Sequence, residues 1–460
     1  MSTGRLSEVA SMVTGALRGA DRSYVGVSTD TRTLKSGELY VALTGPNFDG
    51  HAFLGRAEAL GAAGALVATA QDSALPQVVA GDTRLALARF SNAWRQRFNI
   101  DVVAVTGSNG KTSVKQMLGA ILATRGETLA TRGNFNNEIG VPLTLLRLRR
   151  AHRAAVIEIG ASGPAEVGEL AQLALPHVGI VNNAAAAHLE GFGGSVEHVA
   201  RAKGELFSAL PADGCAIINA DDAFCNYWKE LAGARRIITF GQAQDADVAY
   251  SNVTQAVTSD GACIAFDVRV GSAKQRIELP AAGRHNACNA AAAIAACHAL
   301  GLDLEQCARG LANVDMAEGR LQIKQTAVGA RVIDDSYNAN PASVRAAIEF
   351  LADQGTPGWL VLGDMLELGE DERELHAQIG KYARECGIRR LYATGDLSRS
   401  AVTAFGEHGY WFETVEDMSA ALVDEVGGDL NVLVKASRSM RLERIVDALC
   451  SLPSVQAAGV

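Results

Sequence analysis

Asp101-Val102-Val103-Ala104-Val105-Thr106-Gly107-Ser108-Asn109-Gly110-Lys111-Thr112-Ser113 decides the fold class. The apolar run at its start reads as a buried strand, and the residues after it place Val114, Leu118 and Ile121 on one face of a helix. A strand that turns through glycines into a helix N-terminus is the context a phosphate-binding loop requires. Glycines let backbone N–H groups converge on phosphate oxygens, the helix end adds positive potential, Lys111 neutralises terminal phosphates, and the Thr112 hydroxyl can ligate magnesium. The segment Thr106, Gly107, Ser108, Asn109, Gly110, Lys111, Thr112, Ser113 is therefore expected to hold a nucleoside triphosphate. It departs from the common G-x-x-x-x-G-K-[ST] loop, because Val105 stands where the first glycine belongs and Gly107 comes two residues later. A glycine turn carrying a surface lysine is the competing account.

Outward from this loop the chain reads as α/β throughout. Strands Ala155 to Ile159, Gly179 to Val181 and Ala216 to Ile218 continue the sheet opened at Asp101, which gives a parallel-sheet ATPase-like unit. Before it, Leu39 to Leu43 and Ala65 to Ala68 read as strands of a smaller α/β unit. After Arg320 the rhythm restarts with strands near Val332 to Ile333, Leu360 to Leu362, Leu391 to Ala393 and Val432 to Val434. One helix there carries Leu375, Ile379, Tyr382 and Cys386 on a stripe that stops at Gly387, a C-terminal cap. Three domains are expected, at 1–81, 82–316 and 317–460.

Composition narrows the class. A chain of 460 residues exceeds one hydrophobic core, and 47 glycines against 10 prolines suit many tight strand-to-helix turns. The net charge of −9 without a long basic tract argues against nucleic acid and against stable membrane association. Eight scattered cysteines without a Cys-x-x-Cys pair suit reduced thiols rather than a zinc site. No signal-peptide core or long apolar run is present, so a soluble cytoplasmic protein is expected, and a monomer.

Three further residues join the loop. Glu158 ends the strand Ala154-Ala155-Val156-Ile157-Glu158 and so projects from the carboxyl edge of the sheet, where a carboxylate holds magnesium near phosphates; a solvated strand-end glutamate is the alternative. His188, just after another strand, lies at the same edge and suits a second magnesium site, although loop histidines are more often packing residues. Lys203 falls on the apolar stripe Val199, Lys203, Leu206, Leu210 of a helix. It either snorkels to solvent or is a buried lysine of lowered pKa, nucleophilic and open to carbamylation into a magnesium-bridging anion.

The short form Thr106-Gly107-x-x-Gly110-Lys111-Thr112 resembles the loop of the Mur ligase and folylpolyglutamate synthetase superfamily. Ordered segments extend the resemblance over almost the whole chain, to the MurF-type branch of the Mur ligases: Gly133-Asn134-Phe135-Asn136-Asn137-Glu138-Ile139-Gly140, Ala202-Lys203-Gly204-Glu205, Gly283-Arg284-His285-Asn286 with Asn289, Gly319-Arg320, Asp334-Asp335-Ser336-Tyr337-Asn338-Ala339-Asn340-Pro341, Gly363-Asp364-Met365-Leu366-Glu367-Leu368-Gly369 and Lys435-Ala436-Ser437-Arg438-Ser439. The resemblance implies a three-domain architecture with a Rossmann-like last domain. It implies a uridine-nucleotide-binding first domain that uses Ser28, Thr29, Asp30, Arg32 and Asn47. Asn134 and Asn137 would face the muramoyl peptide. Asn289, Arg320 and Asp335 would contact ATP, and Tyr337, Asn338 and Asn340 would lie near the nucleotide and the incoming dipeptide. Thr112, Glu158, His188 and a carbamylated Lys203 would hold magnesium. Ala436 departs from the family's glycine and puts close backbone approach there in question.

The activity so implied is ATP-dependent ligation of D-alanyl-D-alanine to UDP-N-acetylmuramoyl-tripeptide, in peptidoglycan synthesis, with Lys111, Glu158, His188 and Lys203 in catalysis. The carboxylate is first phosphorylated, because oxide is a poor leaving group, and the amine then displaces phosphate. Closure of the third domain is expected to exclude water. Still open are a ligase adding the third peptide residue, although the Asp-Asn-Pro-Arg motif of diaminopimelate-adding members is absent, a folylpolyglutamate-type ligase, and a non-catalytic ATP-binding switch.

Overall fold

The computed structural model describes residues 4–258 and 261–453. Among the described residues three large sheets follow one another along the chain, beside two two-stranded pairs. The first has five strands, in the order Ala16–Arg18, Gln77–Val79, Gly64–Val67, Leu39–Val41, Val27–Ser28, all parallel neighbours except the first pair.

The central sheet has nine strands. Its order is Thr128–Ala130, Ala154–Glu158, Asp101–Thr106, Val178–Val181, Cys215–Asn219, Arg236–Gly241, Val248–Thr258, Gly261–Val270, Ala273–Leu279. The run through Val248–Thr258 is parallel, and the last two strands add antiparallel. Helices cover both faces, so the core strands are apolar on both sides. Val102 and Ala104 face one buried cluster, whereas Val103 and Val105 face another with Val114, Leu118 and Ile121. The second cluster is filled by the helix His285–Ala299, whose run of fully buried alanines lies close against the strands. The strands from Arg236 to Leu279 were not foreseen in the sequence; the hairpin pair at the end is half-exposed and its polar residues dilute the apolar signal.

The third sheet runs Gln322–Gln325, Arg331–Asp334, Asn431–Lys435, Gly358–Leu362, Arg390–Thr394, Gly409–Phe412, parallel apart from its first strand. The helix Glu372–Glu385 ends before Gly387, whose φ of +80° is the left-handed conformation that the sequence pattern called for. Among the described residues no helix is long and apolar enough to cross a membrane.

Candidate active site

The strand Asp101–Thr106 lies between Ala154–Glu158 and Val178–Val181, so successive connections leave its carboxyl end toward opposite sides. That reversal opens a crevice in which α/β sheets place ligands. A cleft of about 600 Å³ begins there and extends to the third sheet.

The loop occupies the floor of the cleft. Gly107 and Gly110 have φ of +151° and +82°, and the helix Lys111–Ala123 starts directly after them. The segment after Val181 braces the loop: Ser108 N–H donates to Asn183 O at 3.0 Å, and Asn109 N–H to Asn183 Oδ1 at 2.8 Å. Lys111 Nζ lies inside the arc and donates to Gly107 O at 2.6 Å and Ser108 O at 3.3 Å. Beneath Gly110 runs a buried amide chain, in which Asn182 Nδ2 donates to Asn289 Oδ1 and Asn289 Nδ2 donates to Asn286 Oδ1, each at 2.9 Å. Asn289 thus supports the loop from below and does not line the cleft. Thr106 and Ser113 are likewise buried, at the two ends of the loop.

Glu158 is buried at the edge of its strand, its carboxylate 3.2 Å and 3.3 Å from Thr112 Oγ1. Two partners hold it that sequence reasoning missed. Asn136 Nδ2 donates to Oε1 at 2.9 Å, and Lys115 Nζ pairs with Oε2 at 3.0 Å. Lys115 sits three residues beyond Thr112 on the helix, so both reach the same carboxylate, and spacing was the one signal available.

His188 adopts a left-handed φ of +55°, and its Nδ1 contacts Glu367, a residue of the third sheet's loops. Burial lowers the imidazole's pKa, with Glu367 pulling the other way. Lys203, on the helix Val196–Ser208, does not snorkel: its side chain is 2% exposed and, among the described residues, has no hydrogen-bond partner. Its ammonium nitrogen lies 5.9 Å from the Phe192 ring centroid. Burial, with the charge of Lys111 nearby, pushes its pKa well below the usual lysine range and favours the neutral amine.

From across the cleft the third sheet contributes Arg320, Tyr337, Asn338, Asn340 and Arg438. Arg320 stacks on the Tyr337 ring with Cζ 4.3 Å from the centroid, and its buried Nε has no hydrogen-bond partner among the described residues. Asn340 Nδ2 donates to Asn109 Oδ1 at 2.7 Å, which joins this sheet to the phosphate loop. Asp335 is buried and paired with Lys435, a residue that could have been read as a solvated charge, and Lys435 Nζ also donates to Asn338 O at 2.9 Å. The Ala436 methyl is buried against Gly363, where a Cβ would come within 2.7 Å of it, so the absent glycine is accommodated away from the cleft.

Asn134 and Asn137 line the cleft as well. The first-domain candidates do not. Ser28 ends the strand Val27–Ser28 and Thr29, Asp30 and Arg32 follow it, with Arg32 paired to Asp30 at 2.7 Å, and Asn47 is exposed between the short strands Thr44–Gly45 and Phe48–Asp49. Tyr40, on the strand Leu39–Val41 beside Val27–Ser28, donates its hydroxyl to Gly50 O at 2.9 Å, and burial raises its pKa, with the nearby charges of Asp30 and Asp49 adding to the shift. Among the described residues no group of three or more His, Cys, Asp and Glu is placed to hold a metal.

Comparison with known proteins bears on this geometry. Family models match residues 105–297 (Mur ligase middle domain), 319–438 (Mur ligase, glutamate ligase domain) and 23–125 (Mur ligase family, catalytic domain). The chain is 43% identical over 449 residues to the UDP-N-acetylmuramoyl-tripeptide–D-alanyl-D-alanine ligase of Escherichia coli (strain K12), covering 96% of this chain and 98% of that one. It is 33% identical to the same-named ligase of Bacillus subtilis (strain 168), covering 97% and 98%. Among solved structures it resembles MurF from Acinetobacter baumannii with a TM-score of 0.91 at 32% identity, covering 97% and 98%. MurF ligase from Thermotoga maritima in complex with ADP shares the fold, with a TM-score of 0.79 at 24% identity and coverage of 92% and 96%.

Proposed function

The chain belongs to the Mur ligase family, and from that premise we propose that it joins D-alanyl-D-alanine to UDP-N-acetylmuramoyl-tripeptide, cleaving ATP to ADP and phosphate. The observation that carries this reading is one cleft lined by the phosphate loop and Glu158 on one side and by Arg320, Tyr337 and Asn340 on the other. Relatives that cover 96% and 97% of the chain, and are named for this reaction, support it.

In this reading the loop from Thr106 to Ser113 cradles the ATP phosphates, and Lys111 screens their charge. Arg320, whose buried Nε has no partner among the described residues, adds a second cation opposite. Asp335 and Asn289 shape the nucleotide site, Asn289 through the loop it supports. A carboxylate oxygen of the tripeptide attacks the γ-phosphorus, the bond to the β-phosphate oxygen breaks and ADP leaves. The amine of D-alanyl-D-alanine then attacks the acyl carbon, loses a proton and expels phosphate. Asn134 and Asn137 would align the peptide, Tyr337, Asn338 and Asn340 the dipeptide, and the Ser28, Thr29, Asp30, Arg32 and Asn47 turns the uridine nucleotide. Residues 1–81, 82–316 and 317–460 are the corresponding functional divisions.

Magnesium fits the donors present. The Thr112 hydroxyl and the Glu158 carboxylate present adjacent hard oxygens, and the neutral amine of Lys203 near Lys111 is the form that adds carbon dioxide to become an anionic carbamate. Thr112 and Glu158 would hold one ion and His188 with carbamylated Lys203 another. The ions would supply charge stabilisation on the transferring phosphoryl group. Free thiols at all eight cysteines suit a reducing, cytoplasmic setting.

A coupled assay of ADP release tests the reading. ADP should form only when both UDP-N-acetylmuramoyl-tripeptide and D-alanyl-D-alanine are present. Release with neither would indicate an ATPase, and no release in magnesium and bicarbonate would sink the ligase.

A further inference from the structure

Glu367 stands in the loop after the strand Gly358–Leu362, and that loop is tied down on every side. Gly363 N–H donates to Lys435 O at 3.0 Å, Met365 N–H to Nε2 of the fully buried His376 at 2.9 Å, and Leu366 N–H to Ser437 Oγ at 2.9 Å. Asp364 Oδ1 accepts from Ser398 N–H and Oγ at 2.8 Å and 2.7 Å. At its rim the chain turns left-handed at Glu367, φ +64°, and the carboxylate meets Nδ1 of His188, itself left-handed at φ +55°. Glu190 N–H also reaches Glu367 O at 3.5 Å. Two non-glycine residues held in an unfavourable backbone region meet across the cleft, one from each side, which is where strain gathers when geometry is under functional constraint.

We infer that Glu367 is a positioning residue for His188, fixing which imidazole nitrogen faces the metal and doing so only when the third domain is docked. This rests on the reading of His188 as a magnesium ligand. A carboxylate oxygen accepts, so with Nδ1 donating to Glu367 the ring's remaining lone pair is the one on Nε2. A carboxylate behind a ligating histidine is the usual means of setting its tautomer and raising its basicity. Here the carboxylate arrives from a different sheet, so the metal site on the central sheet is complete only in the closed arrangement. Docking itself has a separate contact, Asn340 to Asn109, so Glu367 is not needed merely to bring the two sides together.

The test measures metal binding in the full chain, with Mn²⁺ as the probe and a non-hydrolysable ATP analogue present, by electron paramagnetic resonance. Glu367→Ala should weaken Mn²⁺ binding about 10-fold or more. Glu367→Gln, whose amide oxygen still accepts from Nδ1–H, should fall between that variant and the unsubstituted chain. In a His188→Ala background, Glu367→Ala should produce no further loss. Equal affinity in Glu367→Ala and the unsubstituted chain, or an additional loss in the His188→Ala background, overturns the inference alone. Failure of the unsubstituted chain to bind Mn²⁺ overturns the metal reading and the inference with it. Glu367 is more than half exposed, and circular dichroism will verify that the variants fold.

Discussion

Lys115 and Glu158 form an ion pair at 3.0 Å with side chains 2% and 3% exposed, directly beside the Thr112 hydroxyl. The pair joins the helix after the phosphate loop to the neighbouring strand, and Lys115 Nζ also donates to Gly133 O at 3.2 Å. It therefore fixes the carboxylate and the Asn134 to Asn137 segment at once.

Lys115→Met should destabilise the central domain, because removing one partner leaves a buried charge uncompensated, at a cost of about 3–5 kcal/mol. For a domain of this size that corresponds to a fall on the order of 10 °C in its thermal transition. Lys115→Met/Glu158→Gln should recover part of the loss, since the stranded charge is gone. Differential scanning calorimetry on both variants reads this, and a single-variant shift below about 2 °C would show that the pair does not anchor the site.

Gly110→Ala should weaken nucleotide binding with little change in overall fold. A Cβ there would lie 2.3 Å from Asn289 Oδ1 and 2.4 Å from Asn182 Nδ2, and φ of +82° disfavours any side chain. The buried amide chain would have to open to admit it. Titration with a fluorescent ATP analogue should show affinity reduced by at least about 10-fold, corresponding to the loss of one or more buried hydrogen bonds. Unaltered affinity would mean that the amide chain does not hold the loop.

The loop was legible because strand, glycines and helix start are consecutive in the chain, and Glu158 and His188 because strand ends mark the sheet edge. Periodicity placed Lys203 on the inward face but carries no information on depth, so snorkelling and burial looked alike until the helix was packed. Lys115 on a helix following a lysine-bearing loop reads as an ordinary surface charge, and only the adjoining strand makes it a buried partner. Asp335 and Lys435 are 100 residues apart, and Glu367 and His188 179, distances at which local pattern is silent. Asn289 was matched to a segment, yet its two amide hydrogen bonds under Gly110 depend on the fold of three separate strand-to-helix connections.

Lys203 should give the protein a pH-dependent stability in carbon-dioxide-free buffer. Burial, with the charge of Lys111 nearby, holds its folded-state pKa well below the usual lysine range, whereas in the unfolded chain the amine is solvated and ordinary. Between the two, the unfolded chain binds the additional proton, so stability rises with pH across that window; below the folded pKa both states are protonated and the penalty of burying the ammonium is fully present. Denaturation curves for the parent and Lys203→Met should therefore diverge in favour of the variant as pH falls through the window. Bicarbonate should narrow the difference by converting the amine to a carbamate. Parallel pH profiles would show that the lysine is solvated in solution.

Asn340 has two separable duties. Its Oδ1 caps the helix Pro341–Ala352 by accepting from Ser343 N–H at 3.0 Å, and its Nδ2 donates to Asn109 Oδ1 across the cleft. Aspartate keeps the acceptor and loses the donor, whereas alanine loses both. Asn340→Asp should consequently retain thermal stability close to the parent, while Asn340→Ala should lose about 1 kcal/mol through the missing cap. Both should weaken the docking of the third domain on the phosphate loop, and the aspartate more so, because it sets a negative charge beside the bound triphosphate. Small-angle scattering with an ATP analogue and the tripeptide substrate should show the parent more compact than without ligands and Asn340→Asp less able to contract, with the KM for ATP raised by about 10-fold, the equivalent of one charge-sensitive hydrogen bond. Equal compaction and equal KM in parent and Asn340→Asp would leave Asn340 a helix cap alone and would remove the phosphate loop from the closing surface.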